Sequence, residues 1–93
     1  SYYPIATKSD FRCGESIISA NTGVTNVTFP QPFDNIPVVI ATVKGASKYV
    51  MLIAKVDNIS KNGFTVTAVT LENGSEASPS YAVTVEWIAM RKS

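Results

Sequence analysis

Apolar and polar residues alternate with a period of two along most of this chain, the spacing of a strand that buries one face. Short clusters of Gly, Pro, Asn and Ser interrupt the alternation, and no segment keeps helical spacing for long. The pattern predicts a first strand over Phe11 to Ile18, then a turn at Asn21-Thr22-Gly23, then a second strand over Val24 to Phe29. The run Pro30-Gln31-Pro32-Phe33-Asp34-Asn35-Ile36-Pro37 cannot supply a full ladder of amide donors, so it predicts a corner between sheets. A third strand is expected over Val38 to Lys44, and Gly45-Ala46-Ser47 separates it from a fourth over Tyr49 to Val56. Asn62-Gly63, two residues that tolerate positive φ, predicts a tight turn into a fifth strand over Phe64 to Leu71. A polar loop from Glu72 to Ser80 leads to the last strand, Tyr81 to Met90, with Tyr81, Val83, Val85 and Trp87 on one face. Six short strands and proline corners predict an all-β fold, a six-stranded antiparallel β-sandwich.

A simple sandwich needs one apolar face per strand, and the third and fourth strands have two. Val39, Ala41 and Val43 oppose Val38 and Ile40; Val50, Leu52, Ala54 and Val56 oppose Tyr49, Met51 and Ile53. Nothing else in the sequence can cover the second faces, so another copy of the chain is the expected cover, with Ile40, Met51 and Ile53 at the contact; chance apolar surface is the alternative.

Length and charge narrow the function. The chain has 93 residues and a net charge of +1, which suits one small domain. Residues 1–10 read as a connecting segment and residues 11–93 as the domain. The basic residues are scattered rather than gathered in a stripe, which argues against nucleic acid as a partner. No apolar run is long enough for a membrane-inserted helix. The sequence starts at Ser1 without a Met, as expected of a fragment of a longer protein.

The inventory for catalysis is thin. There is no His, and Cys13 is the only cysteine. Ser-His and Cys-His arrangements are therefore absent, no internal disulfide can form, and no zinc site can be built from nitrogen and sulfur donors. A lone cysteine suits folding in a reducing cytoplasm, where Cys13 acts as a small apolar residue. The seven carboxylates are spread along the chain and read as surface acids. No cofactor is expected. Trp87 shares a face with Val83 and Val85 and reads as core. Binding residues tend to sit on loops carried by a rigid sandwich. This singles out Lys48 and Tyr49 at the start of the fourth strand, and Glu72, Asn73 and Ser75 after the fifth, with a solvated loop as the more common alternative for the latter three. For Tyr49, packing at a subunit boundary is an equal alternative to ligand contact. Three Asn-X-Ser/Thr triplets begin at Asn26, Asn58 and Asn73; in a bacterial or phage protein they carry no glycan.

Three stretches, taken in order, resemble the H-type lectin domain. The first is Asn26-Val27-Thr28-Phe29, with Phe33 and Ile36-Pro37-Val38-Val39 after it. The second is Leu52-Ile53-Ala54-Lys55-Val56, with Asn58-Ile59-Ser60 and Asn62-Gly63-Phe64. The third is Val83-Thr84-Val85-Glu86-Trp87-Ile88-Ala89, and Cys13-Gly14 looks like the Cys-Gly that opens such domains. The resemblance implies a β-sandwich that assembles as a homotrimer and binds sugars such as N-acetylgalactosamine near the subunit boundary. It also implies a kinship with domains at the ends of bacteriophage tail proteins, where they act in host attachment. Sugar-binding members carry an Arg where Met51 stands and a Trp-His pair where Leu71-Glu72 stands. Secreted members pair the opening cysteine with one on the fifth strand, where Ala68 stands. These departures imply a bacterial or viral origin and a ligand other than the galactosamine type.

Two functions fit these readings. One is a carbohydrate-binding, receptor-recognition module, the distal domain of a phage tail or fibre protein, located on the virion or encoded by a prophage. The other is a ligand-free trimerisation or capping domain of a fibre. Neither uses catalysis: the purified chain is expected to release no sugar from a polysaccharide on which it is incubated. Turnover that one carboxylate substitution abolishes is the contrary result.

Overall fold

The structure, a computed structural model, describes residues 11–44, 51–72 and 74–92. Among these are seven strands: β1 (Phe11–Ile18), β2 (Val24–Thr28), β3 (Val38–Val43), β4 (Leu52–Asp57), β5 (Gly63–Glu72), β6 (Ser75–Ala77) and β7 (Val83–Met90). They form two antiparallel sheets. Sheet A has the order β1-β7-β3; sheet B has the order β2-β5-β4, with β6 paired to the end of β5. The β-sandwich is as expected, and the seventh strand is β6. The Glu72–Ser80 stretch read as loop because it lacks apolar alternation, yet Leu71 pairs with Glu76 and Glu72 with Ser75 in a short hairpin. β4 begins at Leu52, so Met51 lies outside it, and residues 49–50, also expected in this strand, lie outside the described residues.

The core is the inward half of each alternation. Phe64, Val66 and Ala68 of β5 face Val83, Val85, Trp87 and Ala89 of β7, all buried. Val39, Ala41 and Val43 of β3 and Leu52, Ala54 and Val56 of β4 pack against them from the sheet margins. Tyr81 does not extend the β7 face inward as the alternation suggested. β7 begins at Val83, and Tyr81 is 43% exposed.

Four aromatic rings join the sheets at one end. The Trp87 ring lies 5.4 Å from Phe64 and 5.8 Å from Phe29, and Phe29 meets Phe33 edge-on at 5.2 Å. Offset and edge-to-face contacts of this kind add to the burial of large apolar area. Gly14, opposite Trp87 in the β1–β7 register, leaves room for the indole: a Cβ there would sit 3.1 Å from the ring. The indole N–H is buried without an acceptor among the described residues.

The proline run is the corner that was expected, carrying the chain from sheet B to sheet A. Its amides are anchored rather than ladder-paired: Phe29 N–H donates to Asn62 O and Phe33 N–H to Lys61 O. Arg12 clamps it from β1, donating to the carbonyls of Gln31 (2.9 Å) and Pro32 (3.4 Å) with its guanidinium 4.3 Å from the Phe33 ring. The turn before β5 also forms, with a different cause from the one expected. Asn62 and Gly63 do not take positive φ; Asn58 does, at 53°. Gly63 is required instead by contact, since a Cβ there would collide with the Val27 carbonyl. Ala68 is fully buried in sheet B, whereas Cys13 is exposed on sheet A, so those two positions do not face each other.

Trp87 therefore holds the sheets together. Trp87→Ala is expected to destabilise the chain by about 3–5 kcal/mol, the usual loss for a large buried aromatic, measured by urea denaturation. An unchanged midpoint would contradict the packing role.

Candidate functional site

With the inward residues committed to the core, recognition falls to the two outer faces and the loops at their ends. On sheet A, register places Phe11, Met90 and Val38 in one outward row and Cys13, Ile88 and Ile40 in the next. Glu15, Glu86 and Thr42 form the third row. Phe11 and Val38 are each 39% exposed and Ile40 is 55% exposed, so this end of sheet A is an apolar patch open to solvent.

The third row is charged. Glu15 and Glu86 stand directly opposite each other, an unfavourable cross-strand pair. Lys44 compensates: its Nζ lies 2.6 Å from Glu15 Oε1, with both side chains about half exposed. The hydrogen bond to Glu15, the charge of Glu15 and then that of Glu86 raise the Lys44 pKa above 10.5. A raised lysine pKa adds stability that is fully present below the ordinary value and is lost as pH rises through the folded one. The pair is thus constant through neutral pH, and its exposure keeps its contribution small.

Sheet B's outer face divides along its length. At one end, Asn26, Thr65 and Asp57 form a row, and Val24, Thr67 and Lys55 the next. Thr65 Oγ1 donates to Asn26 Oδ1 at 2.9 Å, and Asn58 Nδ2 donates to Thr65 Oγ1 at 3.4 Å. At the other end Ile53 pairs with Val69, and Leu71 pairs with Glu76 of β6. Met51, Ile53 and Leu71 are 61%, 46% and 47% exposed.

The residues singled out from sequence fall as follows. Ile40 is on the outer face of sheet A, and Ile53 is on that of sheet B, with Met51 just before β4. They are solvent-exposed in the single chain, but they do not form one continuous surface. Ser75 is exposed at the start of β6 and pairs with Glu72. Lys48, Tyr49 and Asn73 lie outside the described residues. Met51 and the β5–β6 hairpin share one end of sheet B, because Leu52 pairs with Thr70 and Thr70 with Ala77. Sequence reading passed over Arg12 and the Asn26–Thr65–Asp57 row. Asn26 stands in the sequence as part of a triplet and of a family-like stretch, and its neighbours in space are 31 and more positions away in the chain, so spacing carries no signal of this row. Among the described residues no three His, Cys, Asp or Glu side chains gather to hold a metal ion.

Comparison with known proteins agrees with this architecture. The family model described as H-type lectin domain matches residues 24–90. No curated protein sequence matches the chain. Among solved structures, the tailspike gp61 of Pseudomonas phage phi297 is similar, with a TM-score of 0.65 and 15% sequence identity. The match covers 88% of this chain and 15% of that one. At that identity the likeness is one of fold, and this chain corresponds to a small part of the tailspike's length.

Proposed function

This chain belongs to the H-type lectin domain family, and on that premise we propose that it is a carbohydrate-recognition module of a phage tail or fibre protein, attaching the virion to a host-cell glycan. The family match over most of the chain carries the proposal. The fold shared with a phage tailspike supports the setting. The domain acts by binding rather than by catalysis, and it folds in a reducing cytoplasm with Cys13 as a free thiol.

The glycan-contacting residues in this proposal are Lys48, Tyr49, Glu72, Asn73 and Ser75. Lys48 and Tyr49 precede Met51 in the chain, and Met51 shares an end of sheet B with the Glu72–Ser75 pair. Charged and amide side chains hydrogen-bond hydroxyls, and an aromatic ring offers a surface for the apolar face of a sugar.

The assembly in this proposal is a homotrimer with Ile40, Met51 and Ile53 at its contacts. Exposed apolar residues on opposite faces of a chain suit a cyclic assembly, in which each copy turns a different face to each neighbour. A two-fold dimer would need only one self-complementary patch. Single sites on a lectin surface bind weakly, because association entropy and desolvation offset most of each contact. Three sites on one particle raise avidity without new contacts.

One observation favours the second reading, a ligand-free trimerisation or capping domain. Met51 and Leu71, where sugar-binding members carry polar and aromatic ligands, are exposed aliphatic residues.

Light scattering of the purified chain is expected to report about three copies per particle, and Ile40→Asp or Ile53→Asp to dissociate them. A stable monomer at micromolar concentration would rule the assembly out. Tyr49→Ala and Asn73→Ala are each expected to remain trimeric and to weaken attachment to host cells or arrayed glycans. Full binding by both variants would remove this site assignment, and a parent chain that binds no glycan would leave the capping reading in its place.

A further inference from the structure

The polar end of sheet B's outer face has a property that a merely solvated face does not require. Its side chains are already ordered against one another. Thr65 lies between Asn26 and Asp57 in register, on the central strand of the sheet. Its hydroxyl spends its proton on Asn26 Oδ1 and accepts one from Asn58 Nδ2. This chain of bonds links both amides through the Thr65 hydroxyl. It leaves the two N–H donors of Asn26, the carbonyl oxygen of Asn58 and the exposed carboxylate of Asp57 available on one surface. Three adjacent strands are spaced at about 4.8 Å each, so the row spans about 10 Å, roughly the breadth of a hexose with its hydroxyls.

We propose that this row, Asn26–Thr65–Asp57 with Asn58 bound to it, is a second carbohydrate subsite, and that it takes a neutral sugar with adjacent free hydroxyls. The placement rests on the glycan-recognition reading above and deepens it. A carboxylate accepts from two neighbouring hydroxyls at once, and the Asn26 amide donates to a sugar oxygen beside them. The next row presents Val24, 45% exposed, with Thr67 opposite it in register, to the ring's C–H face. Lys55 in that row offsets the charge of Asp57, so the surface attracts no net charge and selects a neutral sugar over an acidic one. Because the side chains are held before the ligand arrives, little rotamer freedom is lost on binding. The row lies on the same face as Ile53 but at the far end of the strands, about six residues along β5 from Leu71 or roughly 20 Å. A polysaccharide is long enough to touch both this row and the hairpin site.

The test uses the intact chain and a printed panel of neutral and acidic bacterial polysaccharides, followed by titration of the isotope-labelled chain with the strongest neutral binder. Amide signals of Asn26, Thr65 and Asp57 are expected to shift. Asp57→Ala is expected to weaken binding about tenfold and Asn26→Ala severalfold, in line with loss of hydrogen bonds to charged and neutral groups. Thr65→Val, which keeps the side-chain shape but breaks the chain of bonds, is expected to give a smaller loss. Melting temperature and particle mass are expected to stay at parental values, which separates a binding role from a structural one. Parental affinity in all three variants, alongside loss in Tyr49→Ala or Asn73→Ala, overturns this placement and leaves the glycan-recognition reading standing. Binding confined to acidic polysaccharides also overturns it. A parent chain that binds no member of the panel overturns both.

Discussion

The contact on which the rest of this structure depends is the meeting of Trp87 with Phe29 and Phe64 between the two sheets. A chain of 93 residues buries a modest share of its surface, and no disulfide is available to relieve that limit. A few large rings must then define how the sheets face each other. Trp87 comes from the centre of sheet A, Phe64 from the centre of sheet B, and Phe29 from the strand end where the chain leaves sheet B for the corner. Phe33 and Arg12 extend the cluster to that corner and to the β1 edge. Once these rings are placed, every strand's inward set is determined, and so is every outward one.

The outward sets follow from the same alternation. No helix among the described residues covers either sheet, so the alternation leaves both outer faces open. Each face carries an apolar portion and a polar one. On sheet A the apolar rows end at the Glu15–Glu86 row, which Lys44 neutralises in part. On sheet B the Ile53–Val69 row gives way to Lys55, Asp57, Thr65 and Asn26. A face divided this way can be covered by a neighbouring copy at one end while its polar end remains in water.

Met51 and Leu71, at the hairpin end of sheet B, are both open to solvent. Aliphatic side chains can pack against the C–H face of a sugar or against another chain, but they cannot orient hydroxyls. Polar residues stand instead on the β5–β6 hairpin and in the amide–hydroxyl row at the opposite end of the sheet. Both lie on elements positioned by the same aromatic core.

The sequence by itself determined what is local. Period-two alternation set the strands, and β1 runs over Phe11–Ile18 as its pattern indicated. The prolines set the corner, and the doubled apolar faces of β3 and β4 marked Ile40, Met51 and Ile53 as exposed once the core was filled. The buried place of Trp87 followed from its neighbours on β7. What only the tertiary structure decided is non-local. The β5–β6 hairpin forms because β5 offers an edge, not because Ser75–Ala77 alternates. Gly63 is held by the approach of the Val27 carbonyl, not by a turn that needs positive φ. Ile40 and Ile53, alike in pattern, part to opposite faces because β3 and β4 belong to different sheets. Asn26, Asp57 and Thr65 become one surface only through strand register. Alternation says which way a side chain points, but pairing between distant strands decides what stands beside it.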